Sequence, residues 1–289
     1  MRAIPELFGQ GRPVFSFEFF LPKAPEDLDK FVGEVKKLKD LSPDYVSLTY
    51  GAGGTGRERT VEAAGRLQAE TGLTTACHLT CIAHTKGEIA GVLDRLEELG
   101  IGHLVALRGD APKDHPVPPP GERDFGYAED LVRFVAARGG FKMAVAAYPE
   151  THPEARSPED DLARFAAKCA AGAHWSLTQL FFDSRDYFAF VAKARAAGVT
   201  SPIVPGVMPV TAYAQLKRFE KMCGAKIPRE LDERLSKVQD DAEAVVREGI
   251  EWGARQSREL LDGGAPGIHF YTLNRSHSTG EILARLRRA

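Results

Sequence analysis

A chain of 289 residues with 43% hydrophobic, 27% charged and 9% aromatic side chains carries enough apolar material for a sizeable core, which excludes disordered, collagenous and coiled-coil classes. Lys and Arg total 38 against 40 Asp and Glu, a formal net charge of -2, and no block of like charge is long enough to follow the phosphates of a nucleic acid. Nucleic acid and membrane are therefore not expected as partners: no stretch nears the run of about 18 apolar residues that a span needs, and the opening MRAIPELFGQGRP lacks the apolar centre of a secretory signal, so a cytoplasmic protein is expected.

Eight short runs rich in β-branched or aromatic residues read as buried strands, over 14–20, 45–51, 74–81, 103–109, 142–149, 175–182, 203–209 and 268–274. Helical patterns lie between them. Leu28, Phe31, Val32, Val35 and Leu38 repeat at helical spacing over 25–40, as do Ile89, Val92, Leu93, Leu96 and Leu99 over 86–99. Residues 112–124, PKDHPVPPPGERD, read as a long loop after the fourth strand. Ser157-Pro158-Glu159-Asp160 is a helix start, with a hydroxyl cap, proline in the first turn and acids at the positive end of the dipole. After the seventh strand there is room for helices at about 211–222 and 240–262, with KIPRELDERLSK between them as a surface excursion.

Strand starts recur at roughly the 30-residue period of a βα unit. Eight parallel strands alternating with helices predict a single α/β domain over 1–289, a (β/α)8 TIM barrel, because closure removes both exposed edges. The competing architecture is an open doubly wound sheet, for which the GxGxxG signal after the first strand is missing. Cys77, Cys81, Cys169 and Cys223 have no ligand spacing, so buried free thiols and no metal are expected. A single asparagine, Asn274, four methionines and many charges point toward a heat-adapted chain.

In such a barrel the chemistry sits at the C-terminal ends of the strands. Glu18, among four phenylalanines in FSFEFF, is either an ion-paired structural residue or an acid whose pKa is raised by desolvation. Asp110 is a helix cap or a charge aimed at a ligand, and Gly109 before it allows close backbone approach. GAGGTGR at 51–57 lacks the Lys-Ser/Thr of a nucleotide phosphate loop. His78 alone is a satisfied core histidine or a ligand contact. Asp161, Arg164 and Lys168 share a helix face, as a solvated salt-bridge ladder or as part of a site. Gln179, in an otherwise apolar strand, is expected to be buried and must find partners in protein or ligand.

Taken in order, FSFEFF, SLTYGAGG, LRGD, AAYPE-x-HPEA, TQLFFD, PGVMPV and HFYTLNR resemble the bacterial methylenetetrahydrofolate reductase family over about residues 12–288. The resemblance implies an FAD-containing barrel. Hydride from NADH or NADPH would reach 5,10-methylenetetrahydrofolate by ping-pong kinetics, giving the 5-methyl product that supplies methyl groups for methionine synthesis. It implies Glu18 as general acid and Asp110 as the carboxylate between flavin and folate. Thr49, Tyr50, Ala52, His78, Arg108, Gly109, Tyr127, Ala128, Tyr148, His152, Asp161 and Lys168 match flavin-contacting positions. Gln179, Phe219, Tyr271 and Arg275 match substrate-contacting ones. Leu21-Pro22, Thr55-Gly56, Arg164 and Ala167 depart from common family choices, which leaves the adenosine and diphosphate contacts least defined. A C-terminal regulatory domain is not expected, and a homo-oligomer is.

Overall fold

The computed structural model describes residues 3–22, 24–50, 57–111 and 117–288. Nine parallel strand segments are present among them: β1 Val14–Phe19, β2 Tyr45–Leu48, β3 Thr75–Thr80, β4 His103–Leu107, β5 Lys142–Ala147, β6 Trp175–Thr178, β7 Ile203–Val204, β8 Gly206–Val207 and β9 Gly267–Tyr271. They hydrogen-bond in the order β7-β6-β5-β4-β3-β2-β1-β9-β8. The two ends of that order are consecutive in the chain and separated by Pro205 alone, so β7 and β8 are the halves of one barrel strand and the ring closes through the proline. Proline has no N–H to donate, which breaks the ladder at that point. Its carbonyl still accepts from His269 N at 2.9 Å. The expected (β/α)8 barrel is the observed one, with its seventh strand split.

Helices α1 Leu28–Lys39, α2 Arg57–Thr71, α3 Lys86–Glu98, α4 Ala128–Arg138, α5 Pro158–Ala170, α6 Ser184–Ala196, α7 Tyr213–Cys223, α8 Arg229–Ser236, α9 Ala242–Asp262 and α10 His277–Arg287 pack outside the strands. The Ser157 hydroxyl accepts from Asp160 N at 3.2 Å, as the cap reading requires. None of the described helices is long and apolar enough to cross a membrane.

Strand periodicity sorts the core into two layers. Phe15, Phe17, Phe19, Val46, Leu48, Cys77, Leu79, Ile268 and Phe270 point out of the barrel and pack under the helices. Val14, Tyr45, Ala76, Val105, Ala144, Trp175 and Val204 fill the interior, where Ile4 and Leu7 of a short N-terminal 3-10 helix join them.

The segment expected to be a surface excursion is a helix instead. Pro228 lies at the N-cap of α8, and Leu231 and Leu235, one turn apart, are buried against Leu180, Val210, Leu216 and Val245. The charged residues of KIPRELDERLSK occupy the outer face, which is why composition reads it as solvated. Leu235→Ala is expected to lower unfolding free energy in urea by about 2–5 kcal/mol. A loss within about 0.5 kcal/mol, as for an ordinary surface position, would contradict the packing.

Candidate active site

Glu18 is the fifth residue of β1 and faces into the barrel, while its neighbours Phe17 and Phe19 face the helices. Phe15, Phe17 and Phe19 therefore lie on the opposite side of the strand, and Phe20, past its end, is exposed. Its spatial neighbours come from the adjoining strands: Ser47 is its register partner on β2 and Tyr271 on β9. One carboxylate oxygen, Oε2, accepts from Ser47 Oγ at 3.2 Å, meets His269 Nε2 at 3.2 Å and lies 3.1 Å from His78 Nε2. Ser16 Oγ holds the other nitrogen of His269 at 2.8 Å, and Tyr45 stacks on that ring.

Burial on its own pushes the Glu18 carboxyl up, but attraction to His78 and His269 and their hydrogen bonds outweighs it and holds the group well below the usual carboxylate range. In the ligand-free protein the contacts of Glu18 therefore favour the paired reading over a raised pKa. Among the described residues no group of His, Cys, Asp and Glu is placed to hold a metal ion.

Above this cluster, Tyr271 donates its hydroxyl to Thr178 O at 2.6 Å, and burial raises its pKa well above the phenolic value. A side chain at position 206 would collide with that ring: a Cβ there would sit 2.5 Å from Tyr271 Cε2 and 2.4 Å from Thr178 O, so Gly206 is required. Gln179 falls just past the end of β6 and is half-buried; its Oε1 accepts from the N–H of Leu180 at 2.9 Å. The expected long buried strand at 175–182 thus stops before Gln179 and brings it to the rim. Phe219 of α7 is partly buried in the cluster that also takes in Tyr271 and Leu273, and Arg275 is exposed at the start of the final turn.

A second group of side chains gathers at the ends of β4 and β5. Gly109 has φ +86°, and a Cβ on it would lie 2.8 Å from Thr80 Cβ, so the close backbone approach is real. Asp110 is exposed and caps no helix among the described residues, since α4 begins at Ala128 with Asp130 bonding Tyr127 N. Its charge reaches Tyr148, whose pKa is pushed up to about 12 by burial first and then by Asp161 and Asp110. Tyr148 meets His152 edge-on at 4.6 Å, and burial lowers the pKa of that imidazole. Arg108 pairs with Glu154 at 2.7 Å.

The ladder expected from Asp161, Arg164 and Lys168 does not form. Asp161 accepts from His152 N at 2.9 Å, Arg164 leans on Asp160 and covers the Tyr127 ring at 3.7 Å, and Lys168 Nζ donates to Ala146 O at 2.6 Å. Burial lowers the Lys168 pKa to about 8. Its hydrogen-bond partner is a carbonyl and not a carboxylate, because the loop after β5 draws Asp161 toward His152. Thr49 N bonds to Phe19 O at the end of β2, and Tyr50 tilts against His84 at 6.4 Å. Ala52 lies outside the described residues.

The barrel therefore brings Glu18, His78 and Tyr271 together inside, and Arg108, Asp110, Tyr148, His152 and Lys168 at the mouth. Sequence reading missed His269, Ser47 and Ser16. The available signal is alternation: Ser16 and Glu18 on the first strand and His269 and Tyr271 on the last are inward positions of strands that closure makes neighbours.

The methylenetetrahydrofolate reductase family model matches residues 2–287. The chain belongs to the methylenetetrahydrofolate reductase family. It is 38% identical to the 5,10-methylenetetrahydrofolate reductase of Escherichia coli K12 over 273 residues, 94% of this chain and 90% of that one. It is also 38% identical to a probable methylenetetrahydrofolate reductase (NADH) of rice over 98% of this chain, and spans 50% of the length of that plant protein. Among solved structures, a Clostridium thermocellum protein that binds two copies of 5-methyl-5,6,7,8-tetrahydrofolic acid superposes with a TM-score of 0.64 at 15% identity, over 96% of this chain and 94% of that one. A Xanthomonas albilineans dihydropteroate synthase gives 0.54 at 14%, over 96% and 92%. At such identities these two establish the shared fold.

The Lys168 ammonium carries a pH signature. The unfolded side chain keeps its proton up to about 10.5 while the folded one releases it at about 8, so the unfolded state binds more protons between those values and folding gains as pH rises. The stability of the ligand-free protein minus that of Lys168→Met, from urea melts at pH 7, 8.5 and 10, is expected to rise across that window. A flat difference would contradict the buried ammonium.

Proposed function

We propose that this protein reduces 5,10-methylenetetrahydrofolate to 5-methyltetrahydrofolate, with FAD held at the barrel mouth and a reduced nicotinamide dinucleotide as donor. The observation that carries the reading is a buried carboxylate hydrogen-bonded to one imidazole and 3.1 Å from a second, beneath an aromatic and cationic rim, in a member of this family. NADH is the donor we favour, since the rice and maize relatives are named for it.

The residues at the mouth suit FAD. Among the described residues the Lys168 ammonium donates to a carbonyl, Arg108 lies partly exposed just past the end of β4, and Tyr148 and Tyr127 offer flat faces, a donor set matched to a planar ring joined to an anionic diphosphate. Arg108, Lys168, His152 and Tyr148 would hold that group, with Thr49, Tyr50, His78, Gly109, Tyr127 and Ala128 lining it and Asp161 fixing the loop that carries His152. Ala52 joins them on resemblance alone. When bound, FAD supplies a two-electron relay between the nicotinamide and the folate.

The folate carbon to be reduced bridges N5 and N10 in a five-membered ring that must open first. Protonation of N10 assists opening and leaves a cationic methylene iminium on N5. Substrate that excludes water from the mouth strengthens the desolvation already acting on the Glu18 carboxyl, which raises its affinity for a proton and readies it to deliver that proton to N10. Asp110, exposed at the rim, stabilises the positive charge that develops on the substrate. Gln179, Phe219 and Tyr271 hold the pterin, and the exposed Arg275 guanidinium suits the carboxylate tail. With one cavity serving both substrates, donor and folate take turns.

General acid catalysis contributes about 10²–10⁴-fold. Glu18→Gln is expected to lose that factor in folate reduction, measured by stopped flow, while remaining yellow and reducing with NADH at the wild-type rate. Equal losses in the two half-reactions would contradict the assignment, and a colourless wild-type protein that takes up no FAD would contradict the function.

A further inference from the structure

Beyond Tyr271 the chain turns sharply away from β1. Leu273 and Asn274 both adopt left-handed backbone, at φ 52° and 58°, a conformation that non-glycine residues rarely hold twice in succession. The regular pairing of β1 with β9 ends at Glu18 and Tyr271, yet the two chains stay joined past that point. Thr272 donates to the Glu18 carbonyl twice, from its hydroxyl at 2.7 Å and from its N–H at 3.3 Å.

Two residues later Phe20 faces the same side with its N–H and carbonyl, and here a side chain replaces the missing strand. Asn274 Oδ1 accepts from Phe20 N at 2.8 Å, and Asn274 Nδ2 donates to Phe20 O at 2.9 Å. A carboxamide has the donor and acceptor of a peptide group, so it forms the next rung of the ladder. Asparagine also tolerates left-handed backbone better than most residues, and its own N–H closes the turn on Thr272 Oγ1 at 3.2 Å. This is the one asparagine in the chain. Leu21 and Pro22 follow Phe20, and proline has no N–H with which to extend the pairing.

The clamp joins the two halves of the site. On one side it holds the end of β1, two residues past the Glu18 carboxyl. On the other it holds the turn between Tyr271 and Arg275, whose N–H bonds to Thr272 O at 2.9 Å.

We propose that Asn274 is a positioning residue for folate reduction: its carboxamide locks the end of β1 to the turn bearing Tyr271 and Arg275, and so sets the distance between the Glu18 proton and the groups that grip the substrate. The inference rests on the folate-reductase reading of the site. It assigns Asn274 no contact with substrate or FAD. A displacement of about 1 Å in such a geometry lowers rate by up to about 10²-fold.

The test compares holoenzyme with Asn274→Gly, which keeps left-handed backbone accessible while removing the amide, and with Asn274→Asp, which keeps only the acceptor for Phe20 N–H. Three quantities are measured: the two half-reactions separately, the pH profile of folate reduction, and hydrogen exchange of the Phe20 amide. Asn274→Gly is expected to slow folate reduction by about 10- to 100-fold, raise the KM for folate and move the acid limb of its pH profile, with the NADH half-reaction within about twofold of wild type. Phe20 exchange should accelerate in the same variant, and Asn274→Asp should fall between it and wild type on each readout. Faster exchange with unchanged folate kinetics would overturn the positioning role, as would unchanged exchange. Parallel losses in both half-reactions together with a lower Tm would overturn it too, reducing the clamp to a structural one. A wild-type enzyme that does not reduce methylenetetrahydrofolate overturns the underlying reading before any variant is made.

Discussion

A carboxylate inside a closed cylinder is the constraint around which this protein is built. Stripping a carboxylate of water costs several kcal/mol even after relaxation, so Glu18 requires partners within reach of its oxygens. Closure supplies them, because it makes β9 a neighbour of β1 and delivers His269 to the same oxygen that His78 and Ser47 approach from the other side. The imidazoles impose requirements of their own. Ser16 holds the far nitrogen of His269, and Tyr45 covers its ring. One acidic side chain thus determines the inward residues of β1, β2, β3 and β9, and the apolar fill of the barrel is confined to the opposite end, where Ile4 and Leu7 close the bottom.

The mouth has the opposite electrostatic character. Arg108 follows β4 and Lys168 reaches from α5 to the Ala146 carbonyl near the end of β5, on the far side of the ring from the β1–β9 seam. Among the described residues the Lys168 ammonium donates to the Ala146 carbonyl, and its charge is opposed by burial and favoured by Asp161. Acid within and cations above are the arrangement on which the proposed folate reduction rests. Gly206 and Gly109 shape the wall between these regions, the first by admitting the Tyr271 ring and the second by letting the β4 loop press on Thr80.

Strand count, barrel and the roster of polar strand ends were legible in the sequence because buried parallel strands leave short apolar runs at a regular spacing. The surroundings of Glu18 were not. Sequence places phenylalanines at its sides, but a strand sends adjacent residues to opposite faces, so those rings lie under the helices and a serine and two histidines take their place. His269 reads as one member of an apolar strand, and its role emerges only when the first and last strands are joined. A similar step from line to space explains α8, whose charges are outward and whose leucines are not, and the dissolved Asp161–Lys168 ladder, where His152 N–H in the loop after β5 engages Asp161 and the Ala146 carbonyl of β5 engages Lys168.

The central claim is that attraction to two imidazoles outweighs burial at Glu18. Isotope-edited infrared spectroscopy of the Glu18 carboxyl, isolated by subtracting Glu18→Gln, tests it most directly when wild type is compared with His269→Phe at neutral pH. The account predicts a carboxylate band alone in the wild-type protein and a carboxylic acid band in the variant, where burial is left less opposed. A wild-type carboxyl already protonated at neutrality, or one that ionises identically with His269 removed, would contradict it.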